Sequence, residues 1–198
     1  MSKLKRIAVF CGASRGKDKV YMEQGYALGK YMAENGYTLV YGAGSVGVMG
    51  AISNGVLDNG GEAIGVMPKS LDDKEITSQR LTDLVLVDSL HGRKAKMSEL
   101  ADAFILAPGG AGSLEEFFET YSWAQIGIHD KPMAVFNINN FFEPLQQLIE
   151  SMIEAGFIDD KYRGLAPLYD NLDDLFDGLE HYRSVGTPVS YTHLRAHE

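Results

Sequence analysis

The sequence is poor in what extracellular, membrane and nucleic-acid-coating proteins need. It holds one cysteine, Cys11, which excludes an intramolecular disulfide and fits a reducing compartment. No run reaches the ~20 apolar residues of a membrane helix. The opening stretch, MSKLKRIAVFCG, is too short for a signal-peptide core with its cleavage site and predicts a first strand instead. These shortages predict a cytoplasmic protein. Positive charge is scarce as well: 18 Lys and Arg stand against 27 Asp and Glu, a net charge of −9. A nonspecific nucleic-acid binder needs a basic face, so neither nucleic acid nor membrane is an expected partner. Residues 1–187 contain no linker, repeat or low-complexity block, which predicts one domain of a length that buries a full core.

Residues 188–198 are set apart. VSYTHLRAHE, from Val189 to Glu198, breaks with the preceding pattern and resembles translated adapter read-through, so it is expected to be foreign to the domain. Its His193 and His197 have the i, i+4 spacing of a zinc motif, but Leu194 stands where H-E-x-x-H has glutamate. No metal site is read there.

Short apolar runs alternate with amphipathic ones. Strands are predicted at Ile7–Cys11, Thr38–Tyr41, Ala63–Met67, Leu84–Val87, Ala103–Ala107, Met133–Phe136 and Leu165–Tyr169. Helices are predicted near Val20–Asn35, Val48–Asn59, Arg93–Ala101, through Ile126, Phe142–Ala155 and Leu172–Tyr182. Lys69–Arg80 is polar and irregular and predicts a mobile loop. This order implies an α/β fold: a Rossmann-like, doubly wound parallel sheet with helices on both faces. Ligands of such sheets bind at the carboxyl ends of the strands.

The most informative stretch is PGGAGSLEE, Pro108 to Glu116. It joins a predicted strand to a predicted helix. Gly109, Gly110 and Gly112 let backbone approach a ligand, and the first helical N–H groups would point at an anion. Glu115 and Glu116 follow at once, which adds an acid to a phosphate cradle. A plainer account makes Ser113 and Glu116 a capping box; it leaves the three glycines unexplained.

A second turn carries Gly42, Gly44 and Gly47 in the order G-x-G-x-x-G. It follows the second strand, and the next strand ends Gly65-Val66-Met67-Pro68 without the acid that would hold a ribose of NAD. A mononucleotide phosphate or ribose contact at Gly42 and Gly44 is expected over a dinucleotide. Tight packing alone would account for Gly47 and Gly50. A third turn, after the first strand, offers Gly12 and Ser14 to the same edge. Cys11 reads as a small buried hydrophobe rather than a nucleophile. The fourth cluster is Leu90-His91-Gly92-Arg93-Lys94, with Lys96 beyond it. Cations at a helix start oppose the helix dipole, so they are not there for helix stability. A guanidinium grips phosphate or carboxylate as a fork, and Lys94 beside it is expected to contact the substrate; Lys94 and Lys96 also fit a solvated basic surface, and His91 is ambiguous.

Together these motifs resemble the LOG family, named for the plant lonely-guy protein and often mislabelled as lysine decarboxylases. The resemblance covers nearly all of residues 5–182. The family's P-G-G-x-G-T-x-x-E appears as PGGAGSLEE, with Ser113 for Thr. Its M-x-x-R-K appears with Leu90 for Met, and its G-G-G-x-x-G-L-M-G appears as Gly42 to Gly50 with Ala43 for the central glycine. The resemblance implies a phosphoribohydrolase that splits the N-glycosidic bond of a cytokinin riboside 5′-monophosphate, or AMP, into free base and ribose 5-phosphate. It implies Arg93 and Glu116 as the catalytic pair, with Gly109, Gly110, Gly112 and Ser113 on the phosphate, no cofactor, and a homodimer. The helix of Leu114, Phe117, Phe118, Tyr121, Trp123, Ala124 and Ile126 is the candidate interface, being apolar on more than one face. No lysine sits where a pyridoxal phosphate Schiff base is marked. The competing class is a nucleotide or molybdenum-cofactor carrier, which has no need of the Arg93 and Glu116 pair.

Overall fold

The structure, a computed structural model, describes residues 4–71 and 77–185. Within them lie seven strands: β1 (Arg6–Phe10), β2 (Thr38–Tyr41), β3 (Ala63–Pro68), β4 (Asp83–Val87), β5 (Ala103–Leu106), β6 (Met133–Phe136) and β7 (Leu168–Tyr169). Six α-helices join them: α1 (Val20–Glu34), α2 (Gly47–Asp58), α3 (Leu90–Leu100), α4 (Ala111–Gln125), α5 (Glu143–Glu154) and α6 (Leu172–Glu180). The final strand is two residues, shorter than the sequence predicts. The helix α3 starts at Leu90, earlier than predicted, because Ser89 caps it: the Ser89 hydroxyl accepts from the Gly92 N–H at 3.0 Å.

The seven strands pair in parallel throughout, in the order β4-β3-β2-β1-β5-β6-β7. Alternation along the strands divides the core into two layers. Ile7 and Val9 of β1 and Ile105 of β5 face Leu28 and Met32 of α1, Ile52 and Val56 of α2, and Leu175 of α6. Ala8, Phe10, Phe104 and Leu106 face Met97 of α3, Phe117 and Tyr121 of α4, and Ile149 of α5. On the first face α1 and α2 touch backbone to backbone. A Cβ on Gly29 would stand 2.8 Å from the Val56 nitrogen, and one on Gly55 would stand 2.9 Å from the Lys30 nitrogen.

The chain winds outward from β1 to β4, then returns to lay β5 on the other side of β1. The strand order therefore reverses between β1 and β5, and a crevice opens at their carboxyl ends. The middle of the stretch expected to be a mobile loop, residues 72–76, lies outside the described residues, as do residues 186–198 with the predicted foreign tail. The far end of that stretch is tied down: Thr77 is buried and bridges Gly44, and the Ser78 N–H donates to the Ala43 carbonyl at 2.9 Å. No helix among the described residues is long and apolar enough to cross a membrane.

Candidate active site

A cavity of about 760 Å³ occupies the crevice between the ends of β1 and β5. Its floor is stitched from two loops, since the Gly12 N–H donates to the Pro108 carbonyl at 3.0 Å. Gly12, Ser14, Gly109, Gly110, Gly112 and Ser113 line it as the sequence predicts. The helix α4 begins at Ala111 with Gly110 as its N-cap, and no side chain caps it. The capping box is thus not formed: α4 starts too early, and Ser113 already lies inside its first turn, where its N–H and that of Leu114 share the Gly110 carbonyl. Among the described residues the N–H groups of Ala111 and Gly112 have no backbone partner. A Cβ on Gly110 or Gly112 would meet nothing within 4 Å, so both face open space. Unpaired helical N–H groups beside open backbone form an anion cradle. Gly109 differs: its Cβ would press 2.7 Å from the Gly12 nitrogen, so it serves loop packing.

Arg93 of α3 and Glu116 of α4 meet at the cavity wall, with Nη2 donating to Oε1 at 3.2 Å. Their side chains are only 13% and 11% exposed. Burial pushes the Glu116 carboxyl from 4.5 up to about 7, Arg93 pulls the other way without cancelling it, and Glu115 adds a smaller upward push. A carboxyl that titrates near neutrality suits proton transfer or charge stabilisation at cellular pH. Among the described residues the Arg93 Nε is buried without a hydrogen-bond partner, one of the few such unsatisfied groups that a folded protein keeps. Lys94 also lines the cavity, but its ammonium is held by Glu115 and, at 3.1 Å, by Glu119. Burial lowers its pKa, and the hydrogen bonds to both carboxylates more than reverse that. Lys94 is therefore a strut between α3 and α4, and Lys96 pairs with Glu99 at 2.7 Å on the surface. Cys11 lies at the inner end, buried; desolvation drives its thiol far above the ordinary range, and Glu116 adds to this. It is an inert hydrophobe, as predicted. Among the described residues no group of three or more His, Cys, Asp and Glu could hold a metal ion.

Residues 49–179 match the family model described as "Possible lysine decarboxylase". A cytokinin riboside 5′-monophosphate phosphoribohydrolase of Oryza sativa is 41% identical over 181 residues, covering 91% of this chain and 75% of its own. The chain belongs to the LOG family. An Arabidopsis thaliana protein of the same name is 39% identical over 188 residues, covering 95% of this chain and 82% of its own. A solved molybdenum cofactor binding protein from Rippkaea orientalis superposes with a TM-score of 0.68 at 19% identity, covering 89% of this chain and 95% of that one. At that identity the likeness speaks for the fold alone.

The LOG-family turn after β2 departs from the sequence expectation. Gly42 and Gly44 do not line the cavity. The N–H groups of Val48 and Met49, which would face an anion at the start of α2, donate to the carbonyls of Ser14 and Gly12 at 3.3 and 3.0 Å. The neighbouring loop closes this part of the helix start, so these two donors are not open to a phosphate. Gly47 takes φ 65° and its Cβ would strike the Ala13 backbone, while that of Gly50 would strike Ser45. The tight-packing account holds for both. Ala43, where the LOG family has glycine, sits at φ 63° and is fully buried, and its methyl lies toward Gly65 of β3. It stays clear of the cavity.

Sequence reasoning missed the apolar wall. Tyr21 of α1 and Phe141, which follows β6, meet edge to face at 5.7 Å between centroids and line the cavity with Met49 and Leu90. Phe141 follows two left-handed residues, Asn139 and Asn140, and nothing in its sequence context marks a site. His91, left ambiguous, is an exposed member of the lining.

Proposed function

We propose that this protein hydrolyses the N-glycosidic bond of adenosine 5′-monophosphates, plain or N6-modified, to free base and ribose 5-phosphate. The observation that carries this reading is the buried Arg93–Glu116 pair facing the same cavity as the open start of α4. The names of the curated relatives support it. The 5′-phosphate sits against the N–H groups of Ala111 and Gly112, where helix dipole and unpaired donors favour an anion. The Arg93 fork holds a ribose or phosphate oxygen with the donors that Glu116 leaves free and fixes the sugar in place. As the C1′–N bond breaks, its electron pair leaves with the base and positive charge builds on the ribose ring. The Glu116 carboxylate stabilises that charge and takes a proton from the water that attacks C1′. The proton taken from the water passes from Glu116 to the departing base, directly or through solvent, so that the hydroxyl ends on C1′, the proton on the base, and the carboxylate is regenerated.

Lysine decarboxylation is a poor fit. It needs a lysine amine free to form a Schiff base, and the cavity lysine, Lys94, is clamped between two carboxylates. Incubating the protein with AMP and with isopentenyladenosine monophosphate, then measuring free base, tests the proposal. Tight binding with no base released from either would favour a carrier. We further propose a cytoplasmic homodimer that uses α4. Phe117 and Tyr121 are spent on the core, whereas Ile126 is 48% exposed. Light scattering that returned an active monomer would remove the dimer.

A further inference from the structure

We propose that Gly42 is a positioning residue: the turn after β2 is a socket that seats the Arg93 guanidinium against Glu116. A Cβ on Gly42 would collide with Arg93 Nη2 and stand 2.8 Å from Cζ. The glycine is not there for its backbone, since its φ lies outside the left-handed region that Gly47 occupies. Nor does it touch the cavity. What it supplies is the absence of a methyl group where the guanidinium lies. The same Nη2 makes the 3.2 Å contact to Glu116, so any displacement of Arg93 from the socket loosens that contact. The socket is braced from outside by the Ser78 N–H on the Ala43 carbonyl and the Gly44–Thr77 bridge.

The effect on turnover rests on the proposed reaction; the seating of Arg93 does not. In Gly42→Ala the crowded atoms are the tip of a flexible side chain, so the fold accommodates the methyl and Arg93 moves. The charged and titratable groups around Glu116 are Arg93 and Lys94 from α3, Glu115 and Glu119 from α4, and Cys11 beyond β1. The three atoms nearest the new methyl all belong to Arg93, which is the main group lowering the Glu116 pKa. The test combines steady-state kinetics on AMP with a carbon-13 NMR titration of the Glu116 carboxyl. Gly42→Ala is expected to lower kcat at least tenfold, to change KM by less than about threefold, and to move the Glu116 titration to higher pH. In an Arg93→Ala background the same substitution is expected to cost no further activity, which marks coupling through Arg93. Wild-type kcat with an unmoved Glu116 titration would overturn the socket. If the wild type releases no base, the proposed reaction fails, and the NMR titration still decides the seating. If Gly42→Ala does not fold, recovery of folding in Gly42→Ala/Arg93→Ala supports the collision, and failure of both overturns it.

Discussion

The turn after β2 and the turn after β5 look alike in sequence: each is glycine-rich, follows a buried strand and opens a helix. In the first, the helical N–H groups are taken by the carbonyls of Gly12 and Ser14, and the glycines clear room for Arg93, Ala13 and Ser45. In the second, Ala111 and Gly112 keep their N–H groups free, and Gly110 and Gly112 have nothing above them. In one turn the missing side chains admit protein; in the other, at Gly110 and Gly112, they leave open space. Glycine spacing does not distinguish these uses. What does is whether a neighbouring loop lies over the helix start.

The largest expected effects fall where the two turns converge. Glu116→Gln is expected to abolish turnover and spare nucleotide binding, read by base release alongside calorimetry. Arg93→Ala is expected to lower kcat/KM by ~10² or more, equivalent to ~2.7 kcal/mol, and Arg93→Lys to restore little because an ammonium cannot reproduce the fork. Full activity in the lysine variant would reduce Arg93 to a point charge. The comparison itself is sharpened by two matched alanines. Gly47→Ala in the closed turn is expected to cost roughly 3 kcal/mol of stability, from a left-handed φ and a backbone collision. That is a fall of about 10 °C in Tm for a chain of this size. Gly110→Ala in the open turn is expected to leave Tm unchanged and to weaken nucleotide binding about tenfold, or ~1.4 kcal/mol. A Tm loss in the second variant and none in the first would break the distinction.

Stability should depend on pH through Glu116. Its folded pKa, about 7, lies above the ordinary 4.5. Its contribution is therefore complete below 4.5 and is lost as pH rises through about 7. Glu116→Gln removes that loss, so its Tm relative to wild type is expected to climb between pH 5 and pH 8. A constant difference would mean that the carboxyl is not buried enough to matter. The smallest effect belongs to Ala43→Gly. Relief of a left-handed alanine, ~1–2 kcal/mol, is offset by the greater freedom of glycine in the unfolded chain. A rise in Tm of a few degrees or less is expected, with unchanged kcat.

Strand and helix positions were legible because period and punctuation are local: Thr38–Tyr41 and Met133–Phe136 fall where alternation and flanking polar residues put them. The open turn was legible in part: Gly110 and Gly112 do leave the helix start uncovered, whereas Gly109, which reads the same way in sequence, serves loop packing. The role of Gly42 was not, because its partner Arg93 belongs to another element and reaches it only after the sheet is wound. Lys94 read as a ligand for the same reason: Glu115 and Glu119 lie on the facing helix. The capping box was a local pattern overruled by Gly110, which starts the helix before Ser113 can cap it.

The neutral-range carboxyl in the crevice also makes this protein exchange protons with its surroundings. With its pKa pushed up to about 7, Glu116 populates both protonation states near neutrality. A phosphate dianion settling on the start of α4 raises the protonated fraction by repulsion. A nucleotide bound as proposed is therefore expected to draw part of a proton from the buffer, so that the heat of binding includes the buffer's own ionisation enthalpy.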